Sequence, residues 1–133
     1  MPYTLDWESG IVTKTFSGFM SAVEFVGSAE EIIGHPTFDA LQFVINDCTS
    51  VEGHHVDADA IDAVAALRLG AETMNPNIRV VVVSTVASVM ALFLAAGHPL
   101  RLGGSETHSF ASMLLARAWI QDQPTLYGFR RLT

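Results

Sequence analysis

Charge is scarce in this chain, and positive charge scarcer still. Of 133 residues, 16% are Asp, Glu, Lys or Arg; seven are basic and fourteen acidic, for a formal net charge of −7. That balance argues against nucleic acid or an anionic membrane surface as the main partner. Cysteine is nearly missing: the single Cys48 can form no internal disulfide and no cysteine-based zinc site, and it fits a reducing cytoplasm. The opening MPYTLDWESG has no basic stretch followed by an apolar run, so no secretory signal is visible. There is no G-x-S-x-G, no Walker loop and no G-x-G-x-x-G, so no cofactor is expected. With ten glycines and five prolines, collagen-like and low-complexity classes are out. What the chain has in quantity is apolar side chains, 50% of the total, enough to exclude a disordered chain. The length predicts one domain over residues 1–133, with 122–133 as a C-terminal tail or added edge element.

The charge is also unevenly placed. From Met1 to Asp62 there are eleven acids and one base, Lys14; from Ala63 to Thr133 there are three acids and six arginines. Solvated faces account for most of this. An acidic pole around Asp47, Glu52, Asp57, Asp59 and Asp62 would also steer a basic partner or attract a cation.

Val80 to Leu100 carries no charge and is long enough to span a bilayer. Three features reject that reading. Four valines follow the turn signal Asn75-Pro76-Asn77, as in a buried strand; Ser84-Thr85 and Ser88 interrupt the run; Gly97-His98-Pro99 stops it. The run is expected to be a strand leading into a helix, inside a protein that does not cross a membrane.

Elsewhere the periodicities are clear. Tyr3 to Trp7 and Ile11 to Phe16 alternate around Ser9-Gly10, which predicts a hairpin. Ser21 with Glu24 is a capping box, and Ala22, Phe25, Val26, Ala29, Ile32 and Ile33 follow one helical face up to Gly34-His35-Pro36. Leu41 to Ile45 fits a buried strand, and Asn46 to Val56 a polar loop. Asp57 or Asp59 can cap a helix whose buried stripe is Ala60, Val64, Leu67, Ala71 and Met74. Arg79 to Val83 is a strand and Val86 to Ala96 a helix apolar nearly all round. Leu100 to Leu102 is a short strand, and Ser105 or Thr107 starts a last helix with Phe110, Leu114, Leu115, Ala118 and Trp119 on its apolar side. The order ββαβαβαβα gives an α/β fold. It has about five strands, mostly parallel, an antiparallel N-terminal hairpin and four covering helices.

This order resembles the STAS domain, the fold of the SpoIIAA anti-sigma-factor antagonists, and the SpoIIAA-like family around it. The stretch FVINDCTSVEGHHVDADAI, Phe43 to Ile61, carries most of the resemblance. Asp47 is similar to the family's strand-end aspartate, and Asp57-Ala58-Asp59-Ala60-Ile61 stands where the family has Asp-Ser-Ser-Gly-Leu. VVVVSTVASVMALFLAAGH and FASMLLARAWI resemble a later strand-loop-helix and the final helix. The similarity covers roughly residues 3 to 121, as pattern more than identity. It implies a non-enzymatic regulatory module acting through protein contacts. Its binding surface would hold Asp47, Thr49, Asp57 and Asp59, with Ser84 and Ser88 on the nearby turn. One departure matters: the serine that takes a phosphate in the regulatory proteins is replaced here by Asp59. Its carboxylate carries about −1 against about −1.5 to −2 for phosphoserine. Asp59 is then either a fixed partial mimic of the phosphorylated form or a plain helix cap.

Two chemical readings compete with a binding module. His54 and His55, with Asp57 and Asp59, have metal-ligand chemistry, but the residues are adjacent and no distant third ligand is visible. Cys48 lies at a strand's carboxyl end, where His54 or His55 could act as base for a metal- or cysteine-dependent hydrolase; the neighbouring acids favour the thiol over the thiolate. Gly103-Gly104-Ser105 before a helix could meet an anion, but a tight turn explains it fully. The apolar helix with Met90, Phe93 and Leu94 is expected to be part core and part homodimer contact, the alternative being the wall of a pocket for a small apolar ligand or lipid.

Overall fold

The computed structural model describes residues 3–97 and 107–123. Strands β1 (Tyr3–Glu8) and β2 (Ile11–Ser21) form the expected hairpin, paired antiparallel from Tyr3↔Phe16 to Glu8↔Ile11. Gly10 makes the turn at φ 74°, a left-handed conformation that a residue without Cβ adopts readily. Helix α1 (Ala22–Ile33) starts on the predicted capping box. Ser21 Oγ accepts from Glu24 N at 3.1 Å, and Glu24 Oε1 accepts from Ser21 N at 2.8 Å. After a 3₁₀ turn (Phe38–Ala40) come β3 (Phe43–His55), α2 (Ala58–Met74), β4 (Arg79–Val83) and α3 (Ala87–Ala96). Strand β5 (Thr107–Phe110) and helix α4 (Met113–Asp122) complete the described chain.

The strands lie in the order β1-β2-β3-β4-β5, antiparallel at the first pair and parallel thereafter. Alternate strand residues divide the core. Val12, Phe16, Val44, Cys48, Val80 and Val82 pack with residues of α1, α2 and α3 on one face. Ile11, Phe43, Ile45, Val81 and Val83 pack with Ala116 and Ile120 of α4 on the other. As far as Gly97 the uncharged run is therefore β4, a turn, and α3, and among the described residues no helix is long and apolar enough to cross a membrane.

Four local expectations are corrected. Asn46 to Val56 is not a loop: β3 continues to His55, because β2 is long enough to pair with it as far as Ser21↔His55. Thr49, Ser50, Glu52 and His55 are exposed, while Asn46, Cys48, Val51 and Gly53 are buried. The last helix starts at Met113, capped by Ser112, and not at Ser105 or Thr107; Thr107 to Phe110 pair with Val80 to Val83 as β5. The helix docks through Ala116 and Ile120, and Leu114, Leu115 and Ala118 of the expected apolar side are exposed. In α2, Ala60 and Val64 are buried as expected, but Met74 is exposed at the helix end. The strand expected at Leu100 to Leu102 and the tail beyond residue 123 lie outside the described residues, and Asp122 closes α4.

Candidate functional site

The length of β3 organises the region where the sequence places a binding surface. Its pairing with β4 ends at Asp47↔Val83, yet the strand runs on from Cys48 to His55 against β2 alone. Two register shifts accompany the extension, and Gly18 of β2 sits at φ 66° beside one of them. Asp47 and Ser84 thus share one end of the sheet, while Asp57 and Asp59 stand beyond roughly 25 Å of further strand at the usual rise. A short loop would have placed these aspartates close in sequence and space; the strand carries them apart.

The six candidate side chains differ in what they already do. Asp47 Oδ1 accepts from Thr49 N at 3.1 Å and from Thr49 Oγ1 at 2.7 Å, a local turn on the strand's outer row. Asp57 is the cap of α2, its Oδ1 accepting from Ala60 N at 2.9 Å. The cap reading of Asp59 is therefore overturned: Asp59 sits in the first turn, exposed, with no side-chain hydrogen bond among the described residues. Ser84 is buried and its Oγ accepts from Val86 N at 3.0 Å, which shapes the turn into α3. Thr49 and Ser88 are exposed.

The histidines and the cysteine are also accounted for. His54 Nδ1 accepts from Val56 N at 3.0 Å, and the His55 ring stacks on Phe19 with centroids 5.3 Å apart. Gly53 permits that stack, since a Cβ there would come within 2.8 Å of the Phe19 ring. Among the described residues, no three His, Cys, Asp or Glu side chains are grouped to hold a metal ion. Cys48 is buried, and burial, reinforced by the Asp47 carboxylate, pushes its thiol up to about 12 despite the opposing charge of Lys14. A thiol so held is a poor nucleophile at neutral pH. Of the α3 residues, Phe93 is buried, edge-on to Phe25 with centroids 5.3 Å apart, which removes it from a contact between copies; Met90 is half-buried and Leu94 exposed.

The structure adds a site to which Phe93 is the one candidate residue that belongs. Between the sheet and helices α1 to α3 lies a cavity of about 80 Å³. Phe93 lines it, whereas Met90 and Leu94 do not. Two polar strand residues point into it: Lys14 of β2 and Asn46 of β3, partners in register. Lys14 Nζ donates to Ser28 Oγ at 3.1 Å, and that hydroxyl donates on to Phe25 O at 3.2 Å. The signal was present in the alternation, for Val12, Lys14 and Phe16 form one inward row, as do Val44, Asn46 and Cys48.

No family model matches the sequence, and no curated protein matches it. Solved structures do resemble the fold. The unphosphorylated form of the anti-sigma factor antagonist SpoIIAA aligns with a TM-score of 0.53 at 12% identity, over 88% of this chain and 97% of that one. An uncharacterised protein of the DUF3478 family, with a SpoIIAA-like fold, from Shewanella loihica PV-4, aligns with a TM-score of 0.52 at 13% identity, over 88% and 90%. The chain has a SpoIIAA-like fold, an α/β arrangement with an N-terminal antiparallel hairpin followed by parallel strands.

Proposed function

We propose that this SpoIIAA-like domain is a regulatory module that works through contacts with a protein partner and not through catalysis. The observation that carries the reading is the extension of β3 past β4. It leads into α2 with Thr49, Glu52, Asp57, Asp59 and Asp62 exposed and no lysine or arginine between Asp47 and Ala63. A surface of one sign favours a basic partner and speeds encounter at low salt. Thr49, Asp59 and Ser88 are the contacts, while Asp47, Asp57 and Ser84 hold the backbone beneath them. With a carboxylate at Asp59 in place of a phosphate-accepting serine, the surface keeps one charge state. The buried Cys48 thiol and the engaged His54 ring both speak against a hydrolase on β3.

The test is capture of a partner from the source cell by the full chain and by a Thr49→Lys/Asp59→Lys variant with wild-type circular dichroism. One protein retained in near-equimolar amount by the wild type, and lost with the variant or with rising salt, is the expected result. Equal retention by both chains, or no saturable partner, would overturn the reading.

A further inference from the structure

Lys14 is the one lysine of the chain, and it is buried on the inner row of β2. Among the described residues its ammonium has one hydrogen bond, to Ser28 Oγ, and so keeps two of its three N–H groups for something else. Asn46 beside it donates through Nδ2 to Val81 O at 3.1 Å, while its Oδ1, fully buried, meets no donor among the described residues. Both residues line the same cavity. Arg68 and Glu72 line it too, one turn apart on α2, and offset each other's charge, so Lys14 leaves the cavity net positive. A buried ammonium is unfavourable unless an anion meets it, and a buried carbonyl oxygen unless a donor does.

Asn75 also lines the wall, its Nδ2 donating to Phe38 O and Leu41 O, and the remaining members are apolar, Phe25, Ile32, Phe38 and Phe93 among them. At about 80 Å³ the cavity is smaller than the roughly 150 Å³ that accepts a benzene ring, so it holds a head group and a few carbons at most. The cavity adjoins an outer groove between α1 and α2: Ile33 and Ala71 stand in both walls, and Val26, Leu67 and the exposed Met74 line the groove as well.

We propose that this cavity binds a medium-chain carboxylate bearing a hydroxyl near its head, the carboxylate on Lys14 and the hydroxyl donating to Asn46 Oδ1. The chain leaves between Ile33 and Ala71 and lies in the groove. Charge selects an anion over a neutral or cationic head, and the unmet Asn46 oxygen selects a head that can donate. The inference goes beyond the protein-contact reading and does not depend on it.

Titration of the full chain with 3-hydroxyoctanoate, octanoate and octylammonium, followed by calorimetry or amide shifts, tests it. The hydroxy acid should bind saturably at one site, octanoate roughly fivefold more weakly, and octylammonium not at all. Lys14→Met, which removes a buried charge and should still fold, should weaken the hydroxy acid roughly tenfold or more. Ala71→Phe, which narrows the passage with Lys14 intact, should weaken it as well. Absence of saturable binding, unchanged affinity in Lys14→Met, or equal binding of octylammonium would overturn the site. Octanoate binding as tightly as the hydroxy acid would overturn the role of Asn46, and unchanged affinity in Ala71→Phe the route.

Discussion

A lysine in the inner row of a strand is the least expected residue of this domain, and its titration gives it a measurable signature. Burial, with the charge of Arg68 adding to it and Cys48 acting the other way, lowers Lys14 from 10.5 to about 8. Between those values the unfolded chain holds a proton that the folded chain has released, so stability rises with pH from about 8. Cys48 has the opposite sign. Its thiol is raised from 9.0 to about 12, so above pH 9 the folded chain keeps a proton that the unfolded chain loses, and stability falls. Each slope is about 1.4 kcal/mol per pH unit. Urea unfolding of the wild type should thus show stability climbing from pH 8 to 9 and then levelling where the two slopes cancel. Lys14→Met should be more stable than the wild type at pH 7 by about 1 to 3 kcal/mol and should show no climb. A wild-type profile flat across pH 8 to 9 would contradict the buried ammonium. The alternation of β2 already put Lys14 on the inward row; the sequence alone left open that Asn46 would be its neighbour, since cross-strand register is a long-range property.

Element boundaries were legible wherever a local hydrogen bond makes them. The Ser21 and Glu24 box forms as the spacing predicts, and of the two aspartates the sequence offers for α2 it is Asp57 that caps, again over three residues. The α2 cap yields a paired prediction. Asp57→Ala removes the side-chain acceptor of Ala60 N and should cost about 1 kcal/mol. Asp59→Ala removes only a first-turn charge near the helix dipole and should cost no more than a few tenths. Thermal unfolding of the two variants side by side checks the order, and an equal loss in both would return Asp59 to a capping role. Strand ends were less legible. Thr49, Ser50, Glu52 and His54 make a polar stretch by composition, but β2 supplies the pairing that holds it extended, with a register shift between Asp47 and Ser50. Thr107 to Phe110 likewise became a strand because β4 offered an open edge, and propensity over four residues is too weak to announce that.

On the scale of the whole molecule, one sheet is shared by two unequal cores, three helices on one face and α4 on the other. Unfolding should be a single transition because the sheet is common to both. Ile120→Ala, on the smaller face, should cost about 2 to 4 kcal/mol. It should shift the fluorescence of Trp119, edge-on to Phe43, and of Trp7, stacked on His35 at 3.8 Å, by the same amount. Separate midpoints for fluorescence and far-ultraviolet circular dichroism would show that the faces melt independently. The order of strands and helices, the hairpin turn, the capping box of α1 and the rejection of a membrane span followed from the sequence, because each rests on periodicity or on contacts a few residues apart. The reach of β3 past β4, the face that α4 buries and the meeting of Lys14 with Asn46 above a cavity belong to the tertiary structure. Each of these depends on which distant segment arrives alongside and in what register, and no window of sequence contains both partners.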